Sequence, residues 1–184
     1  MPTASPTPST PRPKRRNGRE ARPAVQWQRE VPETIRALDT LAAPDYADIV
    51  TAPLGEPLST APEQLVFTTL HALPRILVRV LPLVQRLALG LRLELRPSPD
   101  HLLGWRIVER HESWLRIEAS SWLLTGHVVL HADDDRLSFA SFVRYERPLA
   151  ALIWRPVSLI HRQVALTLVR NAVKIAEEAR PPNG

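Results

Sequence analysis

The chain has 184 residues, no cysteine, and 24 basic against 19 acidic side chains, for a net charge of +5. That length is enough for one domain with a real core. The missing cysteine excludes disulfides, thiol nucleophiles and thiolate metal sites, and points to a reducing, cytoplasmic compartment.

The charge is unevenly placed. Residues 1–29 hold seven basic residues against Glu20 alone, a net of +6, so the rest of the chain is near neutral at −1. Residues 1–24, with Pro2, Pro6, Pro8, Pro11, Pro13 and Pro23 among Ser, Thr, Arg and Gly, have little to bury and are predicted to be a disordered tail. A single domain is predicted over 25–180, with 181–184 a disordered C-terminus. Nucleic acid could be held only through the basic tail, by salt-sensitive phosphate contacts without sequence readout. Arg15-Arg16 is followed by no apolar run, so it is not read as an export signal. The near absence of lysine is read as the codon bias of a GC-rich bacterial genome.

In chain order, VPETIRALDTLA reads as a short helix with Pro32 in its first turn, and Asp45 to Pro53, DYADIVTAP, as a first strand. Thr60 is the expected N-cap of a helix over about 61–73, with Glu63 at the capping-box position. Pro74 separates it from a second helix over about 75–90 with a broad apolar face. Arg79, Gln85 and Arg86 break that face too often for a membrane span, which needs ~20 apolar residues. LRLELR (91–96) fits an edge strand or a continued helix equally well, and 97–100 is a turn. Gly104–Arg110, Ser113–Ala119, Ser121–His131 and Leu137–Glu146 then read as four strands of an antiparallel meander joined by short connectors. Last comes a long helix over 149–179, with Val157, Ile160, Val164, Leu168, Ala172 and Ile175 on one stripe. The expected fold is therefore α+β, a curved antiparallel sheet wrapped around a long C-terminal helix, with two short helices after the first strand.

That order is the order of the helix-grip fold. Asp45-Tyr46-Ala47-Asp48, the helical pair, GWRIVERHESWLRIE and FVRYERPLAALIWRPVSLIHRQVAL resemble an uncharacterised bacterial family, a domain of unknown function among the START-like (SRPBCC, polyketide-cyclase-like) proteins. The resemblance covers about residues 31–176. It implies a cavity between sheet and last helix, and relatives that include lipid carriers, cyclases and receptors for hydrophobic ligands; fold analogy alone does not choose among them.

The titratable groups fit this picture loosely. If the strand face carrying Thr125 and His127 is concave, His127 points under the last helix towards His161, and Arg144 or Tyr145 joins from the next strand. Trp122, with Trp105, Trp114 and Trp154, is a candidate pocket wall, although such residues more often pack a core. These make His127, Arg144, Tyr145, His161, Trp122 and Thr125 the candidate ligand-binding residues, with no catalytic residue assigned. No metal site is expected: His127 and His131 stand about 13 Å apart at ~3.3 Å per residue along a strand, and Asp133, Asp134 and Asp135 sit where a hairpin must turn. No phosphate loop or nucleophile elbow is present, and no cofactor is implied. The leading reading is a binder of a small hydrophobic molecule, more binding protein than enzyme. The alternatives are a cyclase- or dehydratase-like enzyme using the same cavity, and a packed interaction domain with no small-molecule ligand.

Overall fold

The chain builds one seven-stranded antiparallel sheet. Its computed structural model describes residues 25–57, 61–96 and 98–179; the predicted tails and Thr60 lie outside them. The strands are β1 (Gln26–Gln28), β2 (Tyr46–Pro53), β3 (His101–Leu102), β4 (Trp105–Arg110), β5 (Trp114–Ser120), β6 (Leu124–Ala132) and β7 (Arg136–Tyr145), in the spatial order β1-β2-β7-β6-β5-β4-β3. The four-strand meander forms as expected from its short connectors. Two strands were not expected: β1 on β2, and β3 on β4 through a tight turn in which Leu103 (φ 52°) and Gly104 (φ 85°) are both left-handed. Two consecutive positive φ values give a hairpin turn whose twist matches its strands. A Cβ at position 104 would lie 2.9 Å from Leu93 Cβ.

The two sheet faces are covered differently. On the inner face lies α4 (Leu149–Glu178), thirty residues long, packed on Val50 and Ala52 of β2, Leu137 and Val143 of β7, and Leu124 of β6. Its buried side chains are Ala150, Trp154, Ala165, Val169 and Ala172. This stripe is rotated from the predicted one towards the side carrying His161, and Ile160 is exposed instead. The small alanines let the helix approach the sheet closely, and that selects the face. On the outer face Val129, Ala140, Phe142 and Ile49 are covered by Val31, Ile35 and Leu41 of the segment around α1 (Glu33–Arg36).

Helix α2 (Pro62–Ala72) begins after Ala61 with Pro62 in its first turn and packs on α4, Leu65 joining Ala165 and Val169. Helix α3 (Arg75–Leu89) runs from Pro74 to Gly90, which is left-handed at φ 64°. Pro82 and Leu89 are the only buried side chains among those described on it. Residues 91–96 form neither of the two predicted elements. They run extended, held by Arg92 N–H to Ser120 and Glu94 N–H to Gly104, with Leu91 and Leu93 inward.

Candidate functional site

Strand parity puts Tyr46 and Asp48 of β2 on the inner face, and Ser141 of β7 is the register partner of Asp48. Both are buried. A buried carboxylate needs donors, and Asp48 Oδ2 accepts two hydrogen bonds, from Tyr46 OH at 2.6 Å and Trp27 Nε1 at 3.0 Å. From α4, His161 comes down so that Nε2 hydrogen-bonds Ser141 Oγ at 2.8 Å. Trp154 stands edge-on to Tyr46 (ring centroids 5.3 Å) and 5.6 Å from the His161 ring. Two guanidiniums close the outside, Arg29 over Tyr46 at 4.2 Å and Arg162 over Trp27 at 4.6 Å.

Burial sets the charge states of this cluster. Loss of water around the imidazole lowers the His161 pKa, against a weaker opposite pull from the Asp48 carboxylate, which favours the neutral ring, able both to accept and to donate a hydrogen bond. Burial, then the bond to Asp48, raises the Tyr46 pKa, which keeps the phenol a donor.

Beside His161 and Ser141 lies a partly open apolar chamber of about 90 Å³. Its floor is the inner face of β6 and β7, with Leu124, Gly126, Val128 and Val143; one wall is α4 with Trp154, Val157 and Val164. Its roof is α3, with Leu81, Val84, Gln85 and Ala88. Gly126 is needed here, since a Cβ would meet the Trp105 ring at 3.0 Å. That ring in turn donates from Nε1 to Gln85 Oε1 at 3.2 Å, a tie between sheet and roof. A second apolar chamber of about 180 Å³ shares Leu81, Ile160 and Val164 with the first. Larger depressions of about 680 and 670 Å³ border residues 91–96 and are open clefts.

Of the six candidates from the sequence, His161 alone faces both the chamber and the polar cluster. Tyr145 lies at the rim, packed on the inner core, its hydroxyl pKa raised by burial and then by Asp45. The face with Thr125 and His127 is not the concave one. His127 Nδ1 lies 2.7 Å from Asp39 Oδ1 and Nε2 3.5 Å from Glu118 Oε1. Beside it Arg116, also buried, donates to the Leu38 carbonyl and to Glu109. His127 therefore fastens the 31–41 segment to the outer face through its ring, and the residue also lines the chamber. Arg144 and Thr125 share that face, both donating to Glu146, whose carboxyl is held below its ordinary pKa, first by Arg144 and then by Thr125. Trp122 is 61% exposed in the β5–β6 turn. Among the described residues no group of three His, Asp or Glu side chains could hold a metal ion, and no helix is long and apolar enough to cross a membrane.

Sequence reasoning missed Asp48, Ser141, Tyr46 and Trp27 as site residues. A signal was available for Asp48, an acid within a strand, YADIVTAP, that carries no other charge. Ser141 in SFASFV carries none.

Fold and site together define an α+β protein in which a curved antiparallel sheet and a long C-terminal helix border an apolar chamber with one polar wall. Comparison with protein-family models gives no match for the chain, and neither do curated proteins or solved structures.

Proposed function

We propose that the chain is a START-like, helix-grip domain that binds a small apolar molecule carrying one polar atom, the apolar body in the chamber under α3 and the polar atom at His161 and Ser141. The observation behind this reading is the joining of an apolar chamber to a buried imidazole. Binding sites commonly combine apolar walls, which supply affinity, with a few polar groups that fix orientation. The chamber as it stands is small beside the ~300–1,000 Å³ of common ligand sites, so it suits a single ring or a short chain. Displacing α3 about Pro74 and Gly90 would join it to the neighbouring 180 Å³ space. A second reading, a cyclase- or dehydratase-like enzyme, draws on the same neutral His161, which could take a proton from a substrate in the chamber.

Phenol, an apolar ring with one hydroxyl, is a suitable first probe. Titrated into the protein, it is expected to shift the NMR resonances of His161 and of the α3 and α4 residues around the chamber, and to do so saturably. His161→Leu is expected to weaken binding about five- to tenfold, the worth of one hydrogen bond of about 1–1.5 kcal/mol. His127→Ala should bind phenol as the unaltered protein does while losing about 1–3 kcal/mol of stability, because Asp39 loses its buried partner. Shifts that do not saturate, or that ignore His161, would remove the proposal.

A further inference from the structure

The outer side of α3 is built the wrong way round for a surface helix. Ile76, Val80, Leu83 and Leu87 recur at helical spacing on one stripe, and all are exposed, Ile76 at 70% and Leu87 at 77%. Along one flank of the stripe run Arg75, Arg79 and Arg86, and Arg92 follows just beyond the helix. From residue 75 to residue 93 there is no acidic side chain, and none of these arginines forms an ion pair with a described residue. At the C-terminal end of α3 the exposed indole of Trp122 stands against Gly90.

From this we infer that α3 is a docking surface for an anionic lipid bilayer, lying in the membrane plane with its leucines among the acyl chains, its arginines at the phosphates and Trp122 at the headgroup level. An apolar stripe with a row of arginines along one flank and an aromatic anchor at its end is what an anionic interface attracts. Other occupants fit less well. The segment 1–24 is itself basic and offers no valine, leucine, isoleucine or aromatic side chain, and a second copy packed antiparallel would bring like arginine rows together. The inference stands apart from the ligand proposal, although α3 is also the roof of the chamber.

The test is flotation of the full chain with vesicles of phosphatidylcholine alone, or with about a third phosphatidylglycerol. The expected result is binding to the anionic vesicles, loss in high salt, and little binding to phosphatidylcholine. Arg79→Gln with Arg86→Gln should weaken partitioning about thirtyfold, at about fivefold per arginine. The triple variant Ile76→Ser, Leu83→Ser, Leu87→Ser keeps every charge, including those of residues 1–29, and should weaken it at least about tenfold. Its sites are exposed, so its melting temperature should hold. Equal flotation of the triple variant and the unaltered protein would assign binding to the basic N-terminal segment and overturn the inference. So would no binding at all, or a dimer in solution that the triple variant dissolves.

Discussion

Replacing Phe142 with alanine is expected to cost about 3–5 kcal/mol, the range for emptying a fully buried aromatic site. Phe142 is wholly buried on the outer sheet face, at the centre of β7. It packs among Ile49, Val129 and Ala140 of the sheet and Val31, Ile35 and Leu41 of the covering segment. Those partners sit on four separate stretches of chain, so they cannot close on the void together. For a domain of this size each kcal/mol is worth about 2–4 °C in Tm, and a fall of roughly 6–20 °C should appear in a calorimetric melt. If Phe142→Ala melted within about 2 °C of the parent, the outer face would not be a second core, and the role given to His127 in fastening its cover would fall with it.

Asp48→Ala should lose about 3 kcal/mol. The carboxylate is buried between sheet and α4, and its removal leaves the Tyr46 hydroxyl and the Trp27 indole N–H without their acceptor, at about 1–3 kcal/mol for each orphaned donor. Asp48→Asn retains an acceptor oxygen and should lose less. The same cluster makes stability depend on pH through His161. Its pKa is depressed in the folded state, so the unfolded chain takes up a proton that the folded chain refuses. The contribution is fully present above the unfolded value of about 6.5 and is lost as pH falls through it, at up to about 1.4 kcal/mol per pH unit. Denaturant melts across pH 5–8 should show this decline, and His161→Gln should flatten it. An unchanged slope in His161→Gln would mean that the imidazole is not held neutral by burial.

What could be read from the residues, and what could not, follows from how much periodic pattern each element carries. The meander and α4 are long enough for spacing to declare them. β1 and β3, at three and two residues, are too short for any pattern and exist only because a neighbouring strand offers its edge. Face assignment failed at β6 for a different reason: Gly126 to Leu130 are buried on both sides, so alternation was silent about which side meets the helix. Thr125, His127 and Arg144 lie together on the side away from the helix. Asp45-Tyr46-Ala47-Asp48 and the stretch leading to His161-Arg162 are far apart in the sequence. In the fold they meet: Tyr46 and Asp48 lie beside His161 and Trp154, and Arg162 covers Trp27, the partner of Asp48. Nothing in the spacing of those residues, more than a hundred apart, could have shown that contact.

Whether the chamber under α3 holds a small apolar molecule can be read by native mass spectrometry of the full chain purified from its own host. The unaltered protein would be measured beside Val128→Phe, which fills the chamber floor with apolar volume, and denaturing analysis would then follow of whatever is released. The account predicts a stoichiometric apolar adduct on the unaltered protein and its loss from a folded Val128→Phe. A bare mass for the unaltered protein, or the same adduct on both, would contradict it.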